Sequence, residues 1–211
     1  MGSCCHHNQP RFEGLSSTYR RVLWLVIAIN GSMFLAEMIA GHLAGSRALQ
    51  ADALDFFGDS LTYAITLAVI GRSLLVRSSS ALFKGGSLLL LGLWVAGSTL
   101  WSIWRGEVPE AEVMGLFGLL ALIANVASLL LLMRWRDGDA NIRSVWLCSR
   151  NDAIGNVAVM IAALGVFGTA AAWPDLLVAG IMSGLFLSSA FQILRQALAE
   201  RREALQPLPA E

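Results

Sequence analysis

The sequence predicts an all-α integral membrane protein with six transmembrane helices, and three observations carry that reading. Of its 211 residues, 56% are hydrophobic and 14% charged, whereas soluble domains hold about 25% charged residues. The apolar residues gather into six runs of roughly 20 residues, the length a helix needs to cross about 30 Å of hydrocarbon. The arginines collect in short links between those runs, a topology signal with no basic face for nucleic acid; formal net charge is zero.

Taken in order, residues 1–20 are polar and read as a flexible cytoplasmic tail carrying Cys4, Cys5, His6 and His7. The apolar run behind them has full span length and no small-residue cleavage site, so it is expected to stay in the mature chain. Spans are expected at 22–43, 51–75, 82–101, 111–135, 144–167 and 174–194, within a transport domain covering 21–196. The links fall at 44–50, 76–81, 102–110, 136–143 and 168–173, the last followed by Pro174, which suits a helix start. Residues 197–211 read as a short cytoplasmic tail with Pro207 and Pro209, and no soluble domain is expected after it.

With the N-terminus inside, the inner segments hold Arg11, Arg20, Arg21, Arg72, Arg77, Lys84, Arg134, Arg136, Arg143, Arg195, Arg201 and Arg202, against Arg47 and Arg105 outside. The positive-inside rule then puts both termini in the cytoplasm, for a multi-pass protein of the cell's inner (cytoplasmic) membrane. Cys4 and Cys5 are adjacent and Cys148 sits in an apolar run, so no disulfide framework is expected and the thiols are available to metal. Gly85, Gly86, Gly92 and Gly97 punctuate the third span, and Gly180, Ser183, Gly184 and Ser188 the sixth. They serve close helix packing or a dimer face, or reflect the ordinary abundance of glycine in membrane helices.

Chemistry enters with the acids. An ionisable side chain within a span costs roughly 2.5–3.5 kcal/mol on insertion scales and by default faces the bundle interior as a functional group. The second span carries Asp52, Asp55 and Asp59. Asp55 and Asp59 are one helical turn apart with Cβ atoms about 6 Å from each other, so one or both hold a proton unless a cation sits between them. The fifth span offers a complement, because Cys148 and Asp152 are four apart, as are Asp152 and Asn156. Two helices each presenting an i, i+4 pair can build a four-coordinate site of the kind zinc prefers. A thiolate from Cys148 favours zinc or cadmium, whereas Asn156 in its place makes an all-oxygen site for harder ions such as manganese. Depth constrains the pairing: Asp59 is expected about 14 residues, roughly 21 Å, from the cytoplasmic end of its helix. Asp152 is level with it if the fifth helix starts near Asp137 to Asp139, either of which makes a suitable N-cap.

The stretch from Gly45 to Asp55, Gly-Ser-Arg-Ala-Leu-Gln-Ala-Asp-Ala-Leu-Asp, followed by Asp59, resembles the second-helix motif of the cation diffusion facilitator family, in which His or Asp is followed four residues later by Asp. Asp152 to Val157 resembles the matching fifth-helix motif, and Asn30 and Glu37 resemble positions of the first helix. The resemblance covers the whole six-helix region. It implies a transport site at Asp55, Asp59, Cys148 and Asp152, and a homodimer in which each protomer carries zinc or a related cation outward by alternating access in exchange for protons. Two departures stand out: the family commonly has His at the position of Cys148, and most members carry a cytoplasmic metal-binding domain after the sixth helix, which puts this chain among short members lacking it.

Other polar groups have two readings each. Asp52 lines an exit path or caps its helix, while Glu37 and Asn30 assist proton release or bond across the bundle. Asn125 reads as structural and His42 as interfacial. Asp152 also has a salt-bridge reading, to Arg150 or Arg143. The Cys4–His7 tract is a dense set of soft ligands, yet a polar terminus need not order around metal. Two further functions follow from the same residues: a membrane metal sensor or store with that tract as receiver, and a small multidrug antiporter with Phe56, Phe57 and Tyr63 beside the acids. No activated nucleophile or phosphate loop points to an enzyme, and no cofactor beyond the transported cation, Zn2+ or Cd2+, is expected. The partners are metal ion, proton, membrane lipid and a second copy of the chain.

Overall fold

The computed structural model describes residues 16–69, 74–106, 108–135 and 140–204 of the chain, and within α5 the side chains of 140–148, 150 and 151 also lie outside the described set. The Cys4–His7 tract and the expected caps Asp137 and Asp139 fall outside the described residues. The described residues form six α-helices: α1 (Ser17–Leu43), α2 (Arg47–Val69), α3 (Leu74–Arg105), α4 (Ala111–Leu132), α5 (Ala140–Thr169) and α6 (Trp173–Ala204), with one 3-10 turn at Met133–Trp135. No strand occurs among them.

Five helices are long and apolar enough to cross a membrane; α2 alone falls outside that class, although its 23 residues would span. Its charges are the reason, since Arg47, Asp52, Asp55 and Asp59 all lie on it. Around the bundle, large apolar side chains such as Leu35, Ile39, Leu90, Leu100, Leu164, Phe167 and Leu185 point outward. Such a surface would aggregate in water and is the solvated state in lipid. The chain is a multi-pass membrane protein.

The packing has two parts. α1, α2, α5 and α4 close a four-helix ring, each touching the next, while α3 and α6 form a tight antiparallel pair laid against α2 and α5. Ala40, Ala48, Leu49, Ala51, Leu54, Val95, Val159, Met182 and Phe186 build the core where both parts meet. A second cluster, Tyr19, Leu23, Val26, Tyr63, Leu67 and Leu132, fills the end near the termini. In the α3–α6 pair a methyl group added at Gly85 would meet Leu194 Cγ at 2.8 Å, and one at Gly92 would meet Leu187 Cδ2 at 3.0 Å. Ser183 Oγ donates to the Gly92 carbonyl across the same seam at 3.0 Å. Of the small residues read from the sequence, Gly85, Gly92 and Ser183 therefore serve in-chain packing, whereas Gly86, Gly97, Gly180 and Gly184 meet nothing within 4 Å.

Several helix limits differ from expectation. The link expected at 44–50 is only three residues long. Ser46 N–H donates to Gly41 O at 3.0 Å and Gly45 N–H to His42 O at 3.4 Å, with Gly45 at φ +69°, a Schellman end to α1 that requires a left-handed residue. Ser46 then serves as the first cap of α2, its Oγ accepting from Leu49 N–H at 3.0 Å. The link expected at 76–81 is absorbed into α3, where Ser78 Oγ donates to Leu75 O and Ser80 Oγ to Val76 O. α6 runs on to Ala204, and α5 continues through Gly168 to Thr169, leaving Ala170 in the left-handed region at φ 49°.

Candidate metal centre

α2 sets the acids along one stripe, because steps of three and four residues return to the same helix face. Asp55 and Asp59 are half-buried, as is Asp152 on α5. The Asp152 carboxyl lies within hydrogen-bonding reach of both Asp55 and Asp59. Along the described residues, Asp59 lies ten residues before Val69 of α2 and Asp152 twelve residues after Ala140 of α5, about 15 and 18 Å at 1.5 Å per residue.

Carboxyls that face one another across two helices repel unless positive charge joins them. Asp55 faces Asp59 and Asp152 and lies near enough to Asp52 and Glu37 to act on them, all of them acids, and Asp59 in addition accepts a hydrogen bond from Tyr63 Oη one turn along α2. Tyr63 is completely buried. In the sequence Tyr63 reads as an aromatic neighbour of the acids for an organic cation; its bond to Asp59 was not foreseen, although the i, i+4 spacing signals it. Phe56 turns into the core, 3% exposed, and Phe57 packs on Phe34 at a centroid distance of 5.1 Å.

Among the described residues, no three His, Cys, Asp or Glu side chains are gathered as a group that could hold a metal ion. Cys148 lies on α5 one turn before Asp152, but its side chain is outside the described set. Arg150, one reading's partner for Asp152, is outside it as well. Asn156, one turn beyond Asp152, is completely buried with neither amide atom partnered among the described residues.

A second carboxyl pair lies toward the α1–α2 junction. Glu37 on α1 and Asp52 on α2 are 0% and 2% exposed and face each other within hydrogen-bonding reach. Both Glu37 oxygens and Asp52 Oδ2 find no donor among the described residues. Asp52 is not the helix cap that one reading made it; Ser46 caps α2, assisted by Asp175 from α6. Asn30 Nδ2 donates to Val26 O at 3.0 Å within its own helix, and His42 is exposed at the end of α1. Asp175 escaped sequence reasoning altogether, because an acid in the first turn of a helix reads as serving that helix's own dipole.

An all-helical bundle with acids facing one another across a pair of helices fits a membrane carrier for cations. Residues 23–200 match the family described as the cation efflux transmembrane domain, and the chain belongs to that family, which is one of transporters and not of enzymes. The chain is 25% identical over 210 residues to the metal cation efflux system protein CzcD of Cupriavidus metallidurans, covering 94% of this chain and 65% of that protein. It is 27% identical to the zinc transporter ZitB of Yersinia pestis, covering 89% of this chain and 64% of the relative. A cadmium, cobalt and zinc/H(+)-K(+) antiporter of Bacillus subtilis is 24% identical, with 82% and 60% covered. The chain thus spans less than two thirds of the length of each of these relatives.

Proposed function

We propose that this protein exports a divalent metal cation, zinc or cadmium, from the cytoplasm by antiport against protons. The ligands are Asp55 and Asp59 from α2 with Cys148 and Asp152 from α5, Asn156 being the alternative fourth ligand. The observation that carries the reading is the reach of Asp152 to both α2 acids across a helix interface. The names of the relatives, which describe zinc, cadmium and cobalt efflux, support the choice of cargo.

Coupling follows from shared ligands. A dication binds carboxylates and a thiolate only once they have lost their protons, so loading from one side releases protons and protons arriving from the other side displace the metal. The protein works in the inner membrane with both termini cytoplasmic, the orientation that the arginine distribution favours, and as a homodimer, as the family resemblance implies.

The test is metal-driven proton release from proteoliposomes. Asp59→Ala and Asp152→Ala are each expected to abolish it; unchanged release in both would refute a shared site. In the same assay Cys148→Ser is expected to lose cadmium transport preferentially over zinc and manganese, because sulfur is the softest donor in the set. An unaltered preference would make Asn156 the fourth ligand.

A further inference from the structure

The first turn of any α-helix leaves four backbone N–H groups without partners in the helix. At the start of α2 these donors are met from outside. Leu49 N–H donates to Ser46 Oγ at 3.0 Å. Arg47 N–H donates to Asp175 Oδ2 at 2.8 Å, and Ala48 N–H to Asp175 Oδ1 at 3.0 Å. The same Oδ1 takes a third bond, from Ser46 Oγ–H at 2.6 Å. One carboxylate from the first turn of α6, about 130 residues away in sequence, thus caps α2. Asp175 is 1% exposed and Ser46 fully buried.

Three further helices, α1, α3 and α4, are tied in at this end. Arg47 Nε donates to Ser102 Oγ on α3 at 2.5 Å, and Arg47 Nη1 to Gln50 Oε1 at 2.9 Å. Gln50 Nε2 donates to Gly41 O on α1 at 3.0 Å. Glu110 N–H, at the start of α4, donates to Ala44 O at 3.0 Å. There is no slack: a methyl group on Gly41 would sit 3.0 Å from Gln50 N. The end of the bundle away from the termini is therefore drawn shut around the start of α2, the helix that carries Asp52, Asp55 and Asp59.

Release on this side requires the start of α2 to part from its neighbours. Parting α2 from α6 leaves a buried carboxylate and two backbone donors without partners until water reaches them, and charge-assisted bonds of this kind are the strong ones. We propose that Asp175 is a positioning residue that holds the transporter closed on the side away from its termini, and that the breaking of its bonds to Ser46, Arg47 and Ala48 controls opening of the metal pathway to that side. The proposal rests on the cation-transport reading above and adds the element that gates it.

The test uses the full chain with Cys4 and Cys5 replaced by Ser and a reporter substitution, Leu49→Cys, at the fully buried residue that follows Ala48. A membrane-impermeant thiol reagent is applied from the side opposite the termini, and the labelling rate is compared with that of the same chain lacking the reporter. Asp175→Asn, which keeps the shape but puts a donor where an acceptor is needed, is expected to speed labelling about tenfold; Ser46→Ala should act in the same direction and more weakly. In vesicles of both orientations, Asp175→Asn should raise the zinc concentration for half-maximal transport measured from the termini side and lower it from the opposite side. A general loss of fold would worsen both. Unchanged labelling in both variants, or a zinc response that shifts alike from both sides, would overturn the proposal. Labelling needs no transport, so the gate can be read even in Asp59→Ala; if Asp59→Ala transports normally, the metal-site reading fails while the gate is judged on labelling alone.

Discussion

The α2–α5 contact and the α3–α6 contact are both helix pairs in the same bundle, and they are built on opposite principles. At α3–α6 the surfaces are small and apolar; Gly85 and Gly92 let the helices close until no methyl group fits, and Ser183 donates to the Gly92 carbonyl across the seam. At α2–α5 the facing groups are Asp55, Asp59 and Asp152, which repel without a cation or proton between them. Packing without a solvent-driven hydrophobic effect needs close contact and satisfied polar groups. Apolar packing of Ala51 and Leu54 with Val159 holds the α2–α5 contact around those acids. The contrast separates a pair built for close packing, α3–α6, from a pair whose facing acids are the ligands of the proposed site, α2–α5.

The sharpest way to break that contrast is Asp152→Asn. It keeps the side chain's shape while removing a ligand charge, so transport is expected to fall about 100-fold or more, with melting in detergent moved by no more than a few degrees. A large fall in melting temperature would make the acids structural after all. The opposite pattern is expected of Gly92→Leu: with Leu187 already 3.0 Å from the position of a Cβ, overpacking should cost about 1–3 kcal/mol of stability, while transport per folded molecule is kept. Gly97→Ala, where nothing lies within 4 Å, is the matched control and should stay within about 0.5 kcal/mol.

Tyr63→Phe sharpens the comparison from inside the site. It removes the hydroxyl that donates to Asp59 and is expected to change the half-saturating zinc concentration roughly tenfold, with little change in stability, as fits a hydrogen bond to a charged group. Zinc binding to purified protein measures it, and no shift would show that the bond is incidental to metal. A small gain in place of a loss is expected at Ala170→Gly. Ala170 holds φ 49° with a side chain that disfavours it, so glycine should raise stability by about 1 kcal/mol without touching transport.

Six helices were legible in the sequence because a membrane imposes a length on apolar runs. Their ends were not, for reasons that can be named. Ser78 and Ser80 read as a loop, but each turns its hydroxyl back onto a carbonyl of its own helix, so serine interrupts the apolar pattern without interrupting the helix. Arg195, Glu200, Arg201 and Arg202 ended the expected sixth span, yet α6 runs through them with Gln196 bonded to Glu200 one turn on; charge ends burial in lipid, which is a different matter from ending a helix. At 44–50 the expected loop shrank because Gly45 and Ser46 finish one helix and start the next within two residues. The candidate site was partly legible: acids four apart on one span announce themselves, and so does an acid within a later apolar run.

The sequence by itself determined that this is a membrane bundle and that its second helix carries buried acids, since apolar length and a spacing of three or four residues are local properties of the chain. The meeting of Asp152 with Asp55 and Asp59, the bond from Tyr63 to Asp59, and the capture of the α2 N-terminus by Asp175 were decided only in the tertiary structure. Each of those depends on the level and rotation at which helices pack, and that is set by the shapes of the surfaces between them, which no single stretch of sequence contains.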